Sequence, residues 1–501
     1  MFKVASVFSS NMVLQRNKNI SVWGEGKDGA EIVAEINGAT ASAVVQNGRW
    51  KILLPPMQAG GPYEMTVTCT ECGAQKKFVN VMIGEVWLCG GQSNMELELQ
   101  NCKGGRDILD SLTPDCGVRF YYTNKCRMLD EELYAAEANS GWSEAGRESS
   151  AAWSAVGFFF ARKLAADLGV TVGLIGCNWG GTSASAWMDR ETIAGCKETE
   201  SYITEYDKAI EGKSVEQQIA EYDEYAAYSA DWEKRKGELY IKRPDISWDE
   251  VLEICGECRY PGPMNCKNEY RPGGLYETML MRVCPYTLAG FIYYQGESDD
   301  HKPNSYYRLF INMIALWREK WGDDELPFIT VQLPMFKYSA DPDTKSWCII
   351  REAQMRAFKT IKNTGIAVIS DCGEFNNIHP VDKEPVGERL CLQAEKLVYG
   401  MDVDAFGPIY KSFVCRDGGM ELSFDHAEDG FEIRGEKAET FELAGADGEF
   451  FPAEARIEGD KIFLISESVE KPMYARFDWF NWTEVTVFGK NGIPLAPFRT
   501  R

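Results

Sequence analysis

Val81-Met82-Ile83-Gly84-Glu85-Val86-Trp87-Leu88-Cys89-Gly90-Gly91-Gln92-Ser93-Asn94-Met95 is an apolar run that stops at two glycines and a serine, just before a helix-like stretch. Glycines at a strand end permit a tight turn, so a serine hydroxyl can stand clear of the sheet edge with its own N–H aimed at the same point. That is where a hydrolase keeps its nucleophile, although the spacing is not the common G-x-S-x-G elbow. A plain strand-to-helix turn with a solvated serine would read the same way, so the assignment of Ser93 depends on finding its base.

A serine hydroxyl is a poor nucleophile at neutral pH without a neighbouring base, most often histidine. The chain has three histidines. His426 falls in a polar turn, Phe424-Asp425-His426-Ala427-Glu428-Asp429-Gly430, and reads as a surface residue. His301 follows Gly296-Glu297-Ser298-Asp299-Asp300 and is the competitor. His379, in Ile378-His379-Pro380, follows the buried-looking run Gly365-Ile366-Ala367-Val368-Ile369-Ser370 and a polar loop. A histidine beyond a strand end and stiffened by proline can face a serine from a neighbouring strand, so His379 is the expected base.

Around these residues, strand-like runs at 81–89, 171–178, 289–295, 328–333 and 365–370 alternate with helix-like segments. This predicts an α/β domain over 81–403 with a mostly parallel sheet covered on both faces. Ser93, Gly180-Gly181, Gln295 and His379 all fall just past strand ends, and in an open parallel sheet ligands bind in that crevice. Residues 1–80 show short alternating runs between Gly, Asn and Asp turns, which indicates a β-sandwich. Residues 404–501 return to short strands and form a second β-rich region. An insertion at about 197–270 is helical and charged, with Tyr222, Tyr225, Tyr228 and Trp232 at near-helical spacing. That stripe is expected to be a helix face docked on the domain, with a lid or a platform for a sugar ring as the functional reading.

The 501 residues carry a formal charge of −23, which argues against nucleic acid or anionic membranes as partners. No apolar run approaches the ~20 residues of a membrane span. The start of the chain lacks a basic-then-apolar leader, so the sixteen cysteines are expected to be reduced, space-filling residues of a cytoplasmic protein. The pairs Cys69/Cys72 and Cys255/Cys258, the latter with Cys266 nearby, raise a zinc alternative. No histidine lies close and no second pair sits at ribbon spacing, so neither metal nor cofactor is expected.

Four blocks, Gly91-Gln92-Ser93-Asn94-Met95, Trp179-Gly180-Gly181-Thr182, Tyr294-Gln295-Gly296-Glu297-Ser298 and Ile378-His379-Pro380, together resemble the sialate O-acetylesterase family, within the SGNH-type carbohydrate esterases. Met12-Val13-Leu14-Gln15-Arg16, Gly60-Gly61-Pro62-Tyr63 and the closing Gly492-Ile493-Pro494-Leu495-Ala496-Pro497-Phe498 extend the resemblance over nearly the whole chain. It implies an SGNH-like three-layer domain that removes acetyl groups from sugar hydroxyls through an acyl-enzyme on Ser93. The oxyanion donors expected are the Ser93 and Gly181 amides and the Gln295 side chain, with a buried amide bracing its loop as the alternative for Gln295. Gln92, Asn94, Glu297 and Arg351 are expected to contact substrate or support the site, the last two as a pair or as loop braces. Relatives usually carry an aspartate two or three residues before the histidine; here those positions are Asn377 and Asn376. Asp371 is the other candidate for a third member beside a Ser93–His379 dyad. Gly90 is a second departure, since relatives more often have serine there. The substrate class implied is an acetylated mono- or oligosaccharide. Acetylated xylan or mannan fragments run close to O-acetyl sialic acid, whose carboxylate would call for an arginine such as Arg351, Arg271 or Arg282. A non-catalytic carbohydrate-binding protein is the contrasting reading, and an oligomer is compatible with all of them.

Overall fold

The computed structural model describes residues 2–243 and 246–500; Met1, Arg501 and, within the 197–270 insertion, Pro244 and Asp245 lie outside the described residues. The strand Gln75–Gly91 organises the molecule. Its first half pairs antiparallel with Gly60–Cys69, which continues to Glu31–Ile36 and Ala39–Val44. A second small sheet of Lys3–Val4, Ile20–Glu25 and Arg49–Leu54 faces this one. The strand then runs without a break past residue 80 and becomes the middle of a parallel sheet. There the order is Ser143–Glu144, Val118–Tyr122, Val172–Asn178, Gln75–Gly91, Gly290–Tyr294, Phe328–Gln332, Thr364–Val368. All neighbours are parallel except the short edge strand Ser143–Glu144. The fold is thus the α/β class expected, with strands where the apolar runs place them.

Side chains alternate across a strand, and the residues before the serine show what each face meets. A side chain at Gly90 would strike the Trp317 ring at 2.9 Å, whereas the Cys89 sulfur points at Gly157. Helices Pro303–Trp321 and Ser346–Thr360 therefore cover one face, and Ala155–Leu168 and Glu384–Leu397 the other. Trp317 is fully buried, so the glycine at position 90 matches the ring that fills its space.

The C-terminal β-region has a core of its own, including Leu422, Leu443, Ile462 and Phe477. It docks on the last parallel strand through a small cluster of Ile366, Val368, Ile409 and Ile493. Arg351 fastens this joint: its guanidinium donates to the Pro334 carbonyl at 3.3 Å and to the Phe480 carbonyl. The insertion consists mainly of Glu200–Ile210, Val215–Lys242 and Trp248–Cys255, and its aromatic stripe packs largely inward. Tyr222 and Trp232 are buried, bonding Glu269 and the Gly256 carbonyl.

Candidate active site

Register brings the strand ends together. Gly91 lies opposite Asn178 on one side and Tyr294 on the other, so the turns after all three open on one crevice. Gly91 has φ +136°, and a side chain there would meet the Tyr294 carbonyl oxygen at 2.1 Å; only glycine permits this approach. The chain turns directly into the short helix Ser93–Glu96, leaving Ser93 half-buried at its first position.

His379 Nε2 lies 2.9 Å from Ser93 Oγ. His301 is exposed beside Tyr202, and His426 stacks on Phe406 in the C-terminal region. Partial burial and the Lys383 charge hold the His379 pKa below its usual value, partly opposed by Glu96. The imidazole is therefore neutral at pH 7 and free to accept a proton.

No carboxylate contacts the other ring nitrogen of His379 among the described residues. Asp371, the acidic candidate, gives both oxygens to Arg389, at 2.5 and 2.8 Å. Asn376 sits at φ +63° and accepts from the Ser339 amide, bracing a neighbouring loop. Asn377 is closer to the chemistry, but through backbone. Its Oδ1 accepts from His379 N and its Nδ2 donates to His379 O, both at 3.1 Å, and to Glu374 at 2.8 Å. It fixes the histidine's main chain rather than its ring.

Asn94 links the two halves of the site. It follows Ser93 directly, and its Nδ2 donates to the carbonyl of Ile378 at 3.0 Å and to Glu297 at 2.7 Å. Its Oδ1 accepts from Lys383 Nζ at 2.6 Å. An ammonium only donates and a carbonyl only accepts, so the amide has a single orientation, and the residue beside Ser93 holds the residue beside His379. Lys383 is buried against the Tyr294 ring, and desolvation lowers its pKa to about 8. Burial also raises that of Glu297, whose second oxygen has no partner among the described residues. Lys383 escaped the sequence reading, since a lysine in a polar loop looks solvated. Of the two expectations for Glu297 and Arg351, a pair or loop braces, the pair does not form: Glu297 belongs to this clamp and Arg351 to the C-terminal joint, each bracing its own segment.

The oxyanion side divides similarly. Gly180 N donates to Glu96 at 2.6 Å, whereas Gly181 N has no partner among the described residues. The Gly181 turn is held from below by Asp299, which is fully buried and accepts from Ser183, Ala184 N, Tyr202 and Gln295. Gln295 is a brace, not a donor to substrate, because its amide nitrogen is spent on Asp299 and the Thr182 carbonyl. Gln92 is committed likewise, to Ser298 and its amide. The amides of Ser93, at the helix N-terminus, and Gly181 have no hydrogen-bond partner among the described residues.

Above Gly181 stand two tyrosines from the insertion, Tyr260 and Tyr270, with hydroxyls 3.1 Å from where its Cβ would be. Trp179, at the start of the same turn, has Lys125 and Arg127 over its ring. Those cations are already paired, to Glu96 and Glu269. Of the arginines considered for a sialate carboxylate, Arg282 is paired to Glu137, Arg351 is buried in the joint, and Arg271 bonds the Arg127 carbonyl and Glu277. Cys255, Cys258 and Cys266 do not converge. Among the described residues the one grouping of potential metal ligands is Asp167, Cys391 and Glu395, behind the sheet, where Lys163 pairs with both carboxylates.

Residues 264–384 match the family described as carbohydrate esterase, sialic acid-specific acetylesterase. The segment includes Gln295, Glu297, His379 and Lys383. The sialate O-acetylesterase of Mus musculus is 26% identical over 483 residues, covering 88% of this chain and 82% of its own. That of Rattus norvegicus is 24% identical, with 100% and 94% covered. A carbohydrate acetylesterase from Xanthomonas citri superimposes with a TM-score of 0.79 at 28% identity, covering 100% of this chain and 99% of the other. The resemblance carried by the four blocks therefore holds along the whole chain.

Proposed function

We propose, from the premise that this chain is a relative of the sialate O-acetylesterases within the carbohydrate esterases, that it hydrolyses O-acetyl esters of sugar hydroxyls with Ser93 as nucleophile. The observation that carries this reading is the Ser93–His379 hydrogen bond of 2.9 Å beside the unpartnered Gly181 amide.

In the first half-reaction His379 takes the Ser93 proton as Oγ attacks the acetyl carbonyl, and the Ser93 and Gly181 amides receive the oxyanion. Imidazolium then protonates the departing sugar hydroxyl, leaving acetyl-Ser93. Water, deprotonated by His379, hydrolyses that ester and releases acetate. With no carboxylate on the ring, imidazolium gains only the more distant charge of Glu96, opposed by Lys383. Backbone clamps on both sides of His379 supply the orientation that an aspartate would otherwise give. The Mus musculus and Xanthomonas citri relatives support the acetylated-sugar substrate, and the sixteen unpaired cysteines accord with a cytoplasmic setting.

A fluorophosphonate probe tests the nucleophile. The reading expects labelling that disappears in Ser93→Ala and in His379→Ala; labelling that survives Ser93→Ala contradicts it.

A further inference from the structure

Beyond the reacting residues, the insertion carries an open cleft of about 340 Å³ lined by Tyr228, Trp232, Trp248, Tyr260, Lys236 and Arg259. Two of these rings face solvent: Trp248 is 48% exposed and Tyr260 62%. Trp248 meets the buried Trp232 edge to face, ring centroids 5.8 Å apart, so its position is fixed from behind. Arg259 lies 3.9 Å over the Tyr228 ring and Lys236 4.9 Å over that of Trp232, so those two faces are covered; Lys236 is paired to Glu233, which also lines the cavity, and the ring faces left open are those of Trp248 and Tyr260. Tyr260 belongs to two places at once. Its hydroxyl end stands over Gly181, against Tyr270, and its ring forms a wall of the cavity. The cavity is therefore one tyrosine ring away from the acyl-transfer site.

We propose that this cavity is a subsite for a second pyranose unit, seating the sugar next to the one whose acetyl group reaches Ser93. The inference rests on the esterase reading for the identity of the first sugar. Flat aromatic faces pack on the C–H faces of a pyranose, and the donors between them satisfy its hydroxyls, the combination of apolar walls and few polar groups that small-ligand sites use. The volume is at the lower end for such sites and fits one sugar ring, not a protein helix. The stripe Tyr222, Tyr225, Tyr228 and Trp232 is thus divided: Tyr222 turns into the packing, and Trp232, itself buried, backs the exposed Trp248 at the cavity that Tyr228 also lines.

The test uses full-length Ser93→Ala protein, which binds without turnover. It is titrated calorimetrically with xylotetraose, cellotetraose, mannotetraose and sialyllactose, alone and with Trp248→Ala added. Binding of at least one oligosaccharide, weakened about fivefold to tenfold by Trp248→Ala, is expected. Tyr260→Ala carries the same expectation should the tryptophan variant fail to fold. Which oligosaccharide binds sorts neutral chains from sialylated ones. Absence of binding by all four, or binding indifferent to both substitutions, overturns the subsite. The result is independent of catalysis: sugar binding without acetate release by the wild type would contradict the esterase and leave the subsite standing.

Discussion

Ser93 and His379 are held by different kinds of structure. Ser93 stands at the end of a strand hydrogen-bonded on both sides, on a turn that glycine alone can make. His379 stands in a loop with no ladder around it, placed by side chains: Asn377 on its own backbone, Asn94 on that of Ile378, Glu374 on Val381 N. A sheet fixes a residue by many weak constraints that no single substitution removes, whereas a loop clamp is as strong as its two or three members. The two halves of one active site should therefore differ in how they fail.

The largest effects are expected where both halves meet. Ser93→Ala or His379→Ala should lower kcat by at least about 10⁴-fold with the fold intact by circular dichroism, since the pair acts as a unit. On the sheet side, Gly181→Ala puts a Cβ 2.9 Å from Tyr270 at φ +74° and displaces an oxyanion donor. A loss of about 10²–10³ in kcat, with little change in KM, is expected in steady-state kinetics.

On the loop side, Lys383→Met removes a charge-assisted hydrogen bond and frees the Asn94 amide to turn. A loss of about 10- to 100-fold in kcat follows from the usual size of such a bond. The same variant should change the pH profile. Wild-type kcat/KM requires neutral His379 and so rises as pH rises through a value below 6.5. Deleting the Lys383 charge makes imidazolium easier to form, so the acid limb moves to higher pH. With three histidines in the chain, ring titration by NMR reads this shift directly. An unmoved limb would mean that Lys383 serves packing alone. Smallest is Asn377→Ala, which leaves Asn94 in place: roughly 3- to 10-fold in kcat. A loss as large as that of His379→Ala would show instead that Asn377 acts on the imidazole.

The same contrast explains what the sequence disclosed. Strand ends were legible because a buried parallel strand must be a continuous apolar run, and the turns past it need glycine, as at Gly90-Gly91 and Gly180-Gly181. The short edge strand Ser143–Glu144 escaped, as did one parallel strand beside it, Val118–Tyr122. Arg119 interrupts its pattern, and only the fold supplies the Asn11 and Asn80 carbonyls and the Glu144 carboxylate that let this guanidinium be buried. Tyr260 and Tyr270 were invisible for another reason: nothing local in their segment announces a tertiary contact with a glycine some 80 residues earlier. Gln295 shows the converse. Its position past a strand end was correctly located, but its role depends on Asp299, four residues on, being buried where it needs a donor.

The central claim is serine-dependent deacetylation of a sugar. Acetate release by the pure protein, measured in parallel on 9-O-acetyl sialic acid and on acetylated xylo-oligosaccharides with Ser93→Ala as control, tests it most directly. The account predicts release from at least one of the two that vanishes in the variant. Release that persists in Ser93→Ala, or none from either substrate by a folded protein, would contradict it.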